Sequence, residues 1–177
     1  MVERSVHIGE VVGSIPTART KIRLVVRFPA RRNLTKEGIP IRRTMKVFIS
    51  YRFTGEDPKE LNDILGKIRG VLIESGHQVF CSFWSEELFR NNSFTNKQIL
   101  EYTLEELKKS DTVLVLIKSS EKSEGMLIEV GYALASQKKI ILVIKNDVKT
   151  TFLHQIANEV IEFESVDGLC IKLKELK

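Results

Sequence analysis

Apolar and polar positions alternate in a regular order from Met45 onward. Lys46-Val47-Phe48-Ile49-Ser50 is an apolar run of strand length. Pro58 to Glu74 follows, with Leu61, Ile64, Leu65, Ile68, Val71 and Leu72 spaced as the stripe of an amphipathic helix. Asp57 suits the N-cap, Pro58 the first helical position, and Gly76 ends the segment. His77 to Ser82 reads as a second strand. After a loop, Thr95 to Lys109 predicts a helix with Ile99, Leu100, Thr103, Leu104 and Leu107 on one face. Thr112–Ile117 is the third strand, Glu124–Ser136 the third helix and Lys139–Ile144 the fourth strand. A short helix near Thr151–Ala157, a strand at Val160–Phe163 and a last helix from Val166 complete the pattern.

Strands that are apolar throughout and alternate with helices imply a parallel sheet covered on both faces. Five such units predict an α/β, flavodoxin-like three-layer sandwich with strand order 2-1-3-4-5. Ligands in such sheets bind at the carboxyl ends of strands 1 and 3, where the order reverses. The loop after strand 1, Ser50 to Asp57, and the loop after strand 3, Lys118 to Glu124, emerge there together.

Charge changes the picture in one respect. The chain has 177 residues and a net charge of +5, but residues 1–44 hold ten Lys/Arg against three Asp/Glu. Residues 45–177 hold 18 basic and 20 acidic side chains, so the domain lacks the basic balance of a nucleic-acid binder. Residues 1–44 are expected to be a basic N-terminal extension, disordered or a gene-model artefact upstream of a start at Met45. They contain no 7–15-residue apolar stretch of a secretory signal and no clear amphipathic helix of a transit peptide. Hydrophobic residues make up 42% of the chain, enough for a core, yet no run approaches the roughly 20 apolar residues of a membrane span. No membrane partner is expected. Cys81 and Cys170 lack motif spacing and fit reduced thiols in a cytoplasmic setting. His7, His77 and His154 are scattered and make no metal set.

Candidate chemistry centres on Glu129. It follows a strand, a Ser/Gly turn and a helix start, with Ile128, Val130, Ala133 and Leu134 around it. A carboxylate among apolar neighbours is costly unless it is paired or used for chemistry. The competing reading is a helix glutamate satisfied by a local partner. Ser50, Arg52, Gly55 and Ser123 supply donors suited to a phosphate or a sugar, helped by the positive helix N-terminus. A solvated loop charge is the alternative for Arg52, an N-cap role for Ser123, and wall packing for Tyr51. Asp111 begins strand 3 at the opposite end of the sheet and reads as structural. Phe83, Trp84 and Phe89 lie in the loop after strand 2, where packing competes with a lid or a dimer contact.

Thr103-Leu104-Glu105-Glu106-Leu107-Lys108-Lys109-Ser110-Asp111, an apolar strand, and Ser123-x-Gly125-x-x-x-Glu129-x-Gly131-x-Ala133 resemble the nucleoside 2-deoxyribosyltransferase superfamily. The branch most similar is that of the 2′-deoxynucleoside 5′-phosphate N-hydrolases, from Met45 to the end. The resemblance implies that Glu129 attacks the anomeric carbon and forms a glycosyl-enzyme intermediate, in keeping with carboxylate chemistry at oxocarbenium-like centres. It implies a nucleotide or nucleoside substrate, no cofactor, and a homodimer whose partner completes the site. The resemblance also implies that Ser123 and the loop after strand 1 hold the 5′-phosphate, and substrate contacts are expected from Ser50, Tyr51, Arg52, Gly55, Thr103, Ser123 and Gly125.

Two positions depart from the family. An aspartate that helps protonate the leaving base is replaced by Thr103, which is no general acid at neutral pH. Glu101, Glu86 and Glu87 are the candidates for the missing carboxyl group. The strand 1 loop, Ser50-Tyr51-Arg52-Phe53-Thr54-Gly55, replaces the family's Gly-Ser-Ile-Arg-Gly-Gly type. Val47-Phe48-Ile49-Ser50-Tyr51-Arg52 with Gly55-Glu56-Asp57 is also similar to the first box of TIR domains. That second resemblance implies NAD cleavage at the same Glu129, or a signalling module without turnover. The enzyme reading expects Glu129 in a pocket, beside Ser50–Gly55 and Ser123, with a raised pKa, and absence of that pocket would tell against it. The interaction reading expects a shallow pocket and an exposed apolar patch.

Overall fold

In the computed structural model the described residues are 44–121, 123–148 and 151–176. The expected extension over 1–44 lies, apart from Thr44, outside the described residues. The five strands are β1 (Lys46–Tyr51), β2 (Gln78–Phe80), β3 (Thr112–Ile117), β4 (Lys139–Lys145) and β5 (Glu159–Phe163). They form one parallel sheet in the order β2-β1-β3-β4-β5, as the periodicity predicts. The helices are α1 (Pro58–Glu74), α2 (Glu86–Asn91), α3 (Asn96–Lys108), α4 (Glu124–Ala135), α5 (Leu153–Ile156) and α6 (Val166–Leu173).

Side-chain alternation along the strands divides the core in two. Val47, Ile49, Leu114, Leu116, Ile141 and Val143 pack with α1 and α6. Phe48, Val113, Val115, Ile140 and Leu142 pack with α3, α4 and α5 on the other face. Ser50 follows Phe48 on the second face and stands level with Val115 of β3. A fully buried hydroxyl thus ends an otherwise apolar row.

Local chemistry sets the helix ends. Asp57 caps α1 by accepting from the Lys59 amide, and Thr95 with Gln98 forms a capping box on α3. Ser123 caps α4 by accepting from the Met126 amide at 3.3 Å. Gly76 takes φ +87° after α1, a left-handed position where a side chain would be strained. At the base of the sheet Asp111 Oδ2 accepts from the Lys46 amide at 2.9 Å, the structural role expected of it.

The segment after β2 corrects the expected loop. β2 ends at Phe80, and a 3₁₀ turn (Ser82–Ser85) leads directly into α2. Local aromatic packing holds this segment. Phe89 is buried against Phe94 and Tyr102, Phe83 meets Tyr51 edge-on, and Trp84 lies 4.8 Å from the Arg69 guanidinium.

Leu114 is fully buried in the central strand, whereas Ile73 on α1 is half exposed. Leu114→Ala should cost about 2–5 kcal/mol in chemical denaturation. Ile73→Ala should stay within about 0.5 kcal/mol of the parent protein.

Candidate active site

Three elements converge on Glu129. β1 brings Ser50, α3 brings Thr103, and α4 carries the glutamate itself. Ser50 Oγ donates to Glu129 Oε2 at 2.5 Å, across 79 residues of sequence. Thr103 is a buried second hydroxyl beside the carboxyl group, and its one proton can be given either to Glu129 or to the Leu100 carbonyl at 2.9 Å. Burial pushes the Glu129 carboxyl up to about 7, against the lowering effect of the Ser50 and Thr103 hydroxyls.

The source of that burial corrects the sequence reading. Ile128 and Leu134 do not enclose Glu129, since both are nearly half exposed. Neighbours in sequence on a helix point in different directions, and only Val130 and Ala133 of the expected four are buried. Glu129 is covered by β1 and α3 instead.

Tyr51 ends β1 on the α1 face and accepts from Ser82 Oγ at 3.4 Å. Burial, the Cys81 thiol and the Glu86 and Glu129 carboxyls hold its phenol well above the ordinary tyrosine range, against the lowering effect of the Ser82 hydroxyl. Burial pushes the neighbouring Cys81 thiol up to about 12, with the Glu129 charge adding to it, so Cys81 is an inert thiol. Of the three candidate second carboxyl groups, Glu86 is half-buried within electrostatic reach of Tyr51. Glu87 is exposed, and Glu101 is exposed with Lys97 at 3.7 Å.

Arg52 and Gly55 belong to a second cluster at the same sheet edge. Gly55 adopts φ +80° in a turn closed by the Glu56 amide donating to the Phe53 carbonyl at 3.2 Å. That turn returns Glu56 onto Arg52, whose Nε and Nη2 lie 3.0 and 2.9 Å from Glu56 Oε1. Lys118 Nζ meets Glu56 Oε2 and Glu60 Oε1, each at 3.0 Å, and Arg52 Nη1 donates to Glu121. Lys118 and Glu60 went unnoticed in the sequence. A lysine directly after the wholly apolar β3 was the available signal.

Ser123 and Gly125 open α4, with Ser123 about 9 Å along the helix axis from Glu129. A Cβ on Gly125 would have nothing within 4 Å, so the helix start is open there. A cleft lined by Tyr51, Arg52, Lys118, Ser119, Glu121 and Met126 lies at this edge. A cavity of about 450 Å³ adjoins it on the α6 side, with Ile64, Lys145 and Phe163 in its wall. Glu129, only 9% exposed, lines neither, which corrects the expectation that it opens into a pocket and is the outcome expected of the interaction reading. Its raised pKa is the outcome expected of the enzyme reading. Ser50 and Thr103 cover the carboxyl group, while Met126, one turn earlier on α4, reaches the cleft.

The family pattern for nucleoside 2-deoxyribosyltransferases matches residues 51–176. The chain belongs to that family. Comparison with solved structures finds a CMP N-glycosidase, BcmB, from Clostridium botulinum at TM-score 0.55 and 21% identity. That match covers 72% of this chain and 96% of the other. A 2-deoxyribosyltransferase from Bacillus psychrosaccharolyticus matches at TM-score 0.50 and 18% identity, over 75% of this chain and 92% of its own. A conserved protein from Enterococcus faecalis V583 matches at TM-score 0.52 and 13% identity, over 75% and 99%. At these identities the likeness is one of fold. Comparison with curated protein sequences finds no match. Among the described residues no helix is long and apolar enough to cross a membrane.

The raised carboxyl group sets a pH dependence of stability. Glu129 holds its proton in the folded chain up to about pH 7, but releases it near 4.5 once unfolded. The native state therefore binds more protons between those values, and stability falls as pH rises through that window. The loss should approach about 3 kcal/mol by pH 8. Glu129→Gln should flatten this slope in thermal unfolding followed from pH 5 to pH 8.

Proposed function

We propose that this domain breaks the N-glycosidic bond of a nucleoside or nucleotide, with Glu129 as the nucleophile. The observation that carries the reading is the buried Glu129 carboxyl group held by Ser50, in a chain of the nucleoside 2-deoxyribosyltransferase family. The ionised carboxylate attacks the anomeric carbon as the bond to the base breaks, and the bonding electrons leave with the base. Water or a second base then attacks the same carbon and releases Glu129. Ser50 orients the carboxyl group by donating its hydroxyl to Oε2.

The leaving base needs a proton that Thr103 cannot give. Glu86 is the carboxyl group we assign to that task, because of the three candidates it is the half-buried one and its charge reaches Tyr51. The CMP N-glycosidase among the fold relatives supports N-glycosidic chemistry on this scaffold. We also propose a homodimer, on the evidence of α4. That helix is apolar nearly all round and leaves Leu127, Ile128 and Leu134 partly exposed, a surface suited to a second copy.

The test is base release from deoxynucleosides, ribonucleosides, their 5′-monophosphates and NAD, with Glu129→Ala alongside. Release that vanishes in the variant is expected. The ionisation of Glu129 should appear in the kcat/KM for release as a limb rising with pH toward about pH 7, because only the ionised glutamate attacks. Release that survives in Glu129→Ala, or none from any compound, would overturn the reading. Nicotinamide release from NAD alone would move the protein to the TIR-like alternative.

Glu86→Gln should slow release of ordinary bases about a hundredfold. An activated base that departs without protonation should be spared, and equal loss for both would remove Glu86 from this role.

A further inference from the structure

Glu129 is shut away from the cleft beside it, and two side chains do the covering. α4 leaves the carboxyl end of β3 and runs back along the sheet toward the start of β4. Met126 precedes Glu129 by three positions, so the two share a helix face, with Met126 about 4.5 Å nearer the opening. Ile117 stands on the same side. Ser50 is level with Val115, and Ile117 lies two residues further along β3, above the Ser50–Glu129 hydrogen bond. Met126 and Ile117 both line the cleft, yet they are only 5% and 8% exposed and pack into the α4-face core. Tyr51, next to Ser50 in sequence, lines the same cleft and lies within electrostatic reach of Glu129. The cleft therefore ends one helical turn short of the carboxyl group.

The two covering residues differ in what they can do. Ile117 is branched at Cβ and belongs to the central strand, so its side chain is stiff. Met126 is unbranched, with three rotatable side-chain bonds and a soft thioether. It lies in the first turn of α4, where the helix start is open at Gly125. Rotation about its side-chain bonds can clear the space above Glu129 while the backbone stays in place.

We propose that Met126 is the gate between the cleft and Glu129, covering the carboxyl group at rest and swinging aside to admit the sugar of the substrate. This rests on the N-glycosidic reading above and names the residue that controls access to that site. With the gate closed, burial holds the carboxyl group toward its protonated form. Opening admits water and favours the ionised form that attacks.

The gate can be tested without turnover. A water-soluble carbodiimide with glycinamide as the trapping amine modifies protonated carboxyl groups, and labelling of Glu129 is followed by peptide mass spectrometry below its pKa of about 7. Met126→Ala should speed that labelling about tenfold. Met126→Ile keeps the volume but is stiff at Cβ, and should slow it about tenfold. Val130→Ala removes buried atoms from the same helix away from the cleft, and should leave the rate within about twofold. Equal acceleration in Met126→Ala and Val130→Ala would overturn the gate as mere loosening of the core. Faster labelling in Phe83→Ala with none in Met126→Ala would put the entrance beside β2 and overturn it too. Should Met126→Ala fail to fold, Met126→Ile decides, and an unchanged labelling rate there overturns the proposal. In turnover, Met126→Ile should lower kcat/KM for base release about tenfold, and an unchanged value would count against the gate in the same way. Absence of base release from every compound would overturn the N-glycosidic reading, while the labelling rates would still decide the gate.

Discussion

The hydrogen bond from Ser50 to Glu129 joins the end of β1 to the middle of α4, and the rest of the site is arranged around it. A carboxyl group this deeply buried either gives up its charge or acquires donors. Glu129 stands between these outcomes. Burial drives its pKa upward, and two hydroxyls restrain the rise so that it stops near neutrality. The stability cost above that pH is one the fold tolerates in keeping a glutamate where a leucine would pack better.

Two glutamates at one sheet edge are tuned in opposite directions. Glu129 has hydroxyls for partners and tends to stay protonated, whereas Glu56 has a guanidinium and an ammonium and stays ionised. Divergent environments for like groups are a recurrent way of dividing roles within a site. In the proposed reaction the first would respond to substrate, because a developing positive centre favours its ionised form. The second is fixed in charge by its two cationic partners.

The parallel order β2-β1-β3-β4-β5 is what makes both clusters possible. β1 and β3 are neighbours, so the loops following them leave the sheet side by side, one turning toward α1 and the other toward α4. Arg52 and Glu56 come from the first loop and its turn, Lys118 and Glu121 from the second. The segment after β2 adds a third wall through Ser82 and Phe83 against Tyr51. Only the point of reversal in strand order offers this many chain segments a common opening.

The sequence by itself determined the architecture, since strand and helix follow from local periodicity. The stripe from Leu61 to Leu72, the wholly apolar Thr112–Ile117 and the caps at Asp57, Thr95 and Ser123 each record a short-range preference. It also singled out Glu129 by its apolar neighbours and the family motif, Thr103 by its place in that motif, and Ser50 by its place at the end of strand 1. It gave the wrong reason for the burial of Glu129, because Ile128 and Leu134 are close in sequence yet point elsewhere on the helix. It had no means of pairing Arg52 and Lys118 with one carboxylate, nor of covering Glu129 with Ser50 and Thr103. Those outcomes were decided by the tertiary structure alone. Charge pairing and desolvation act through space over a few ångströms, and Arg52 meets Glu121, as Lys118 meets Glu56, only after more than sixty residues of chain have folded between them.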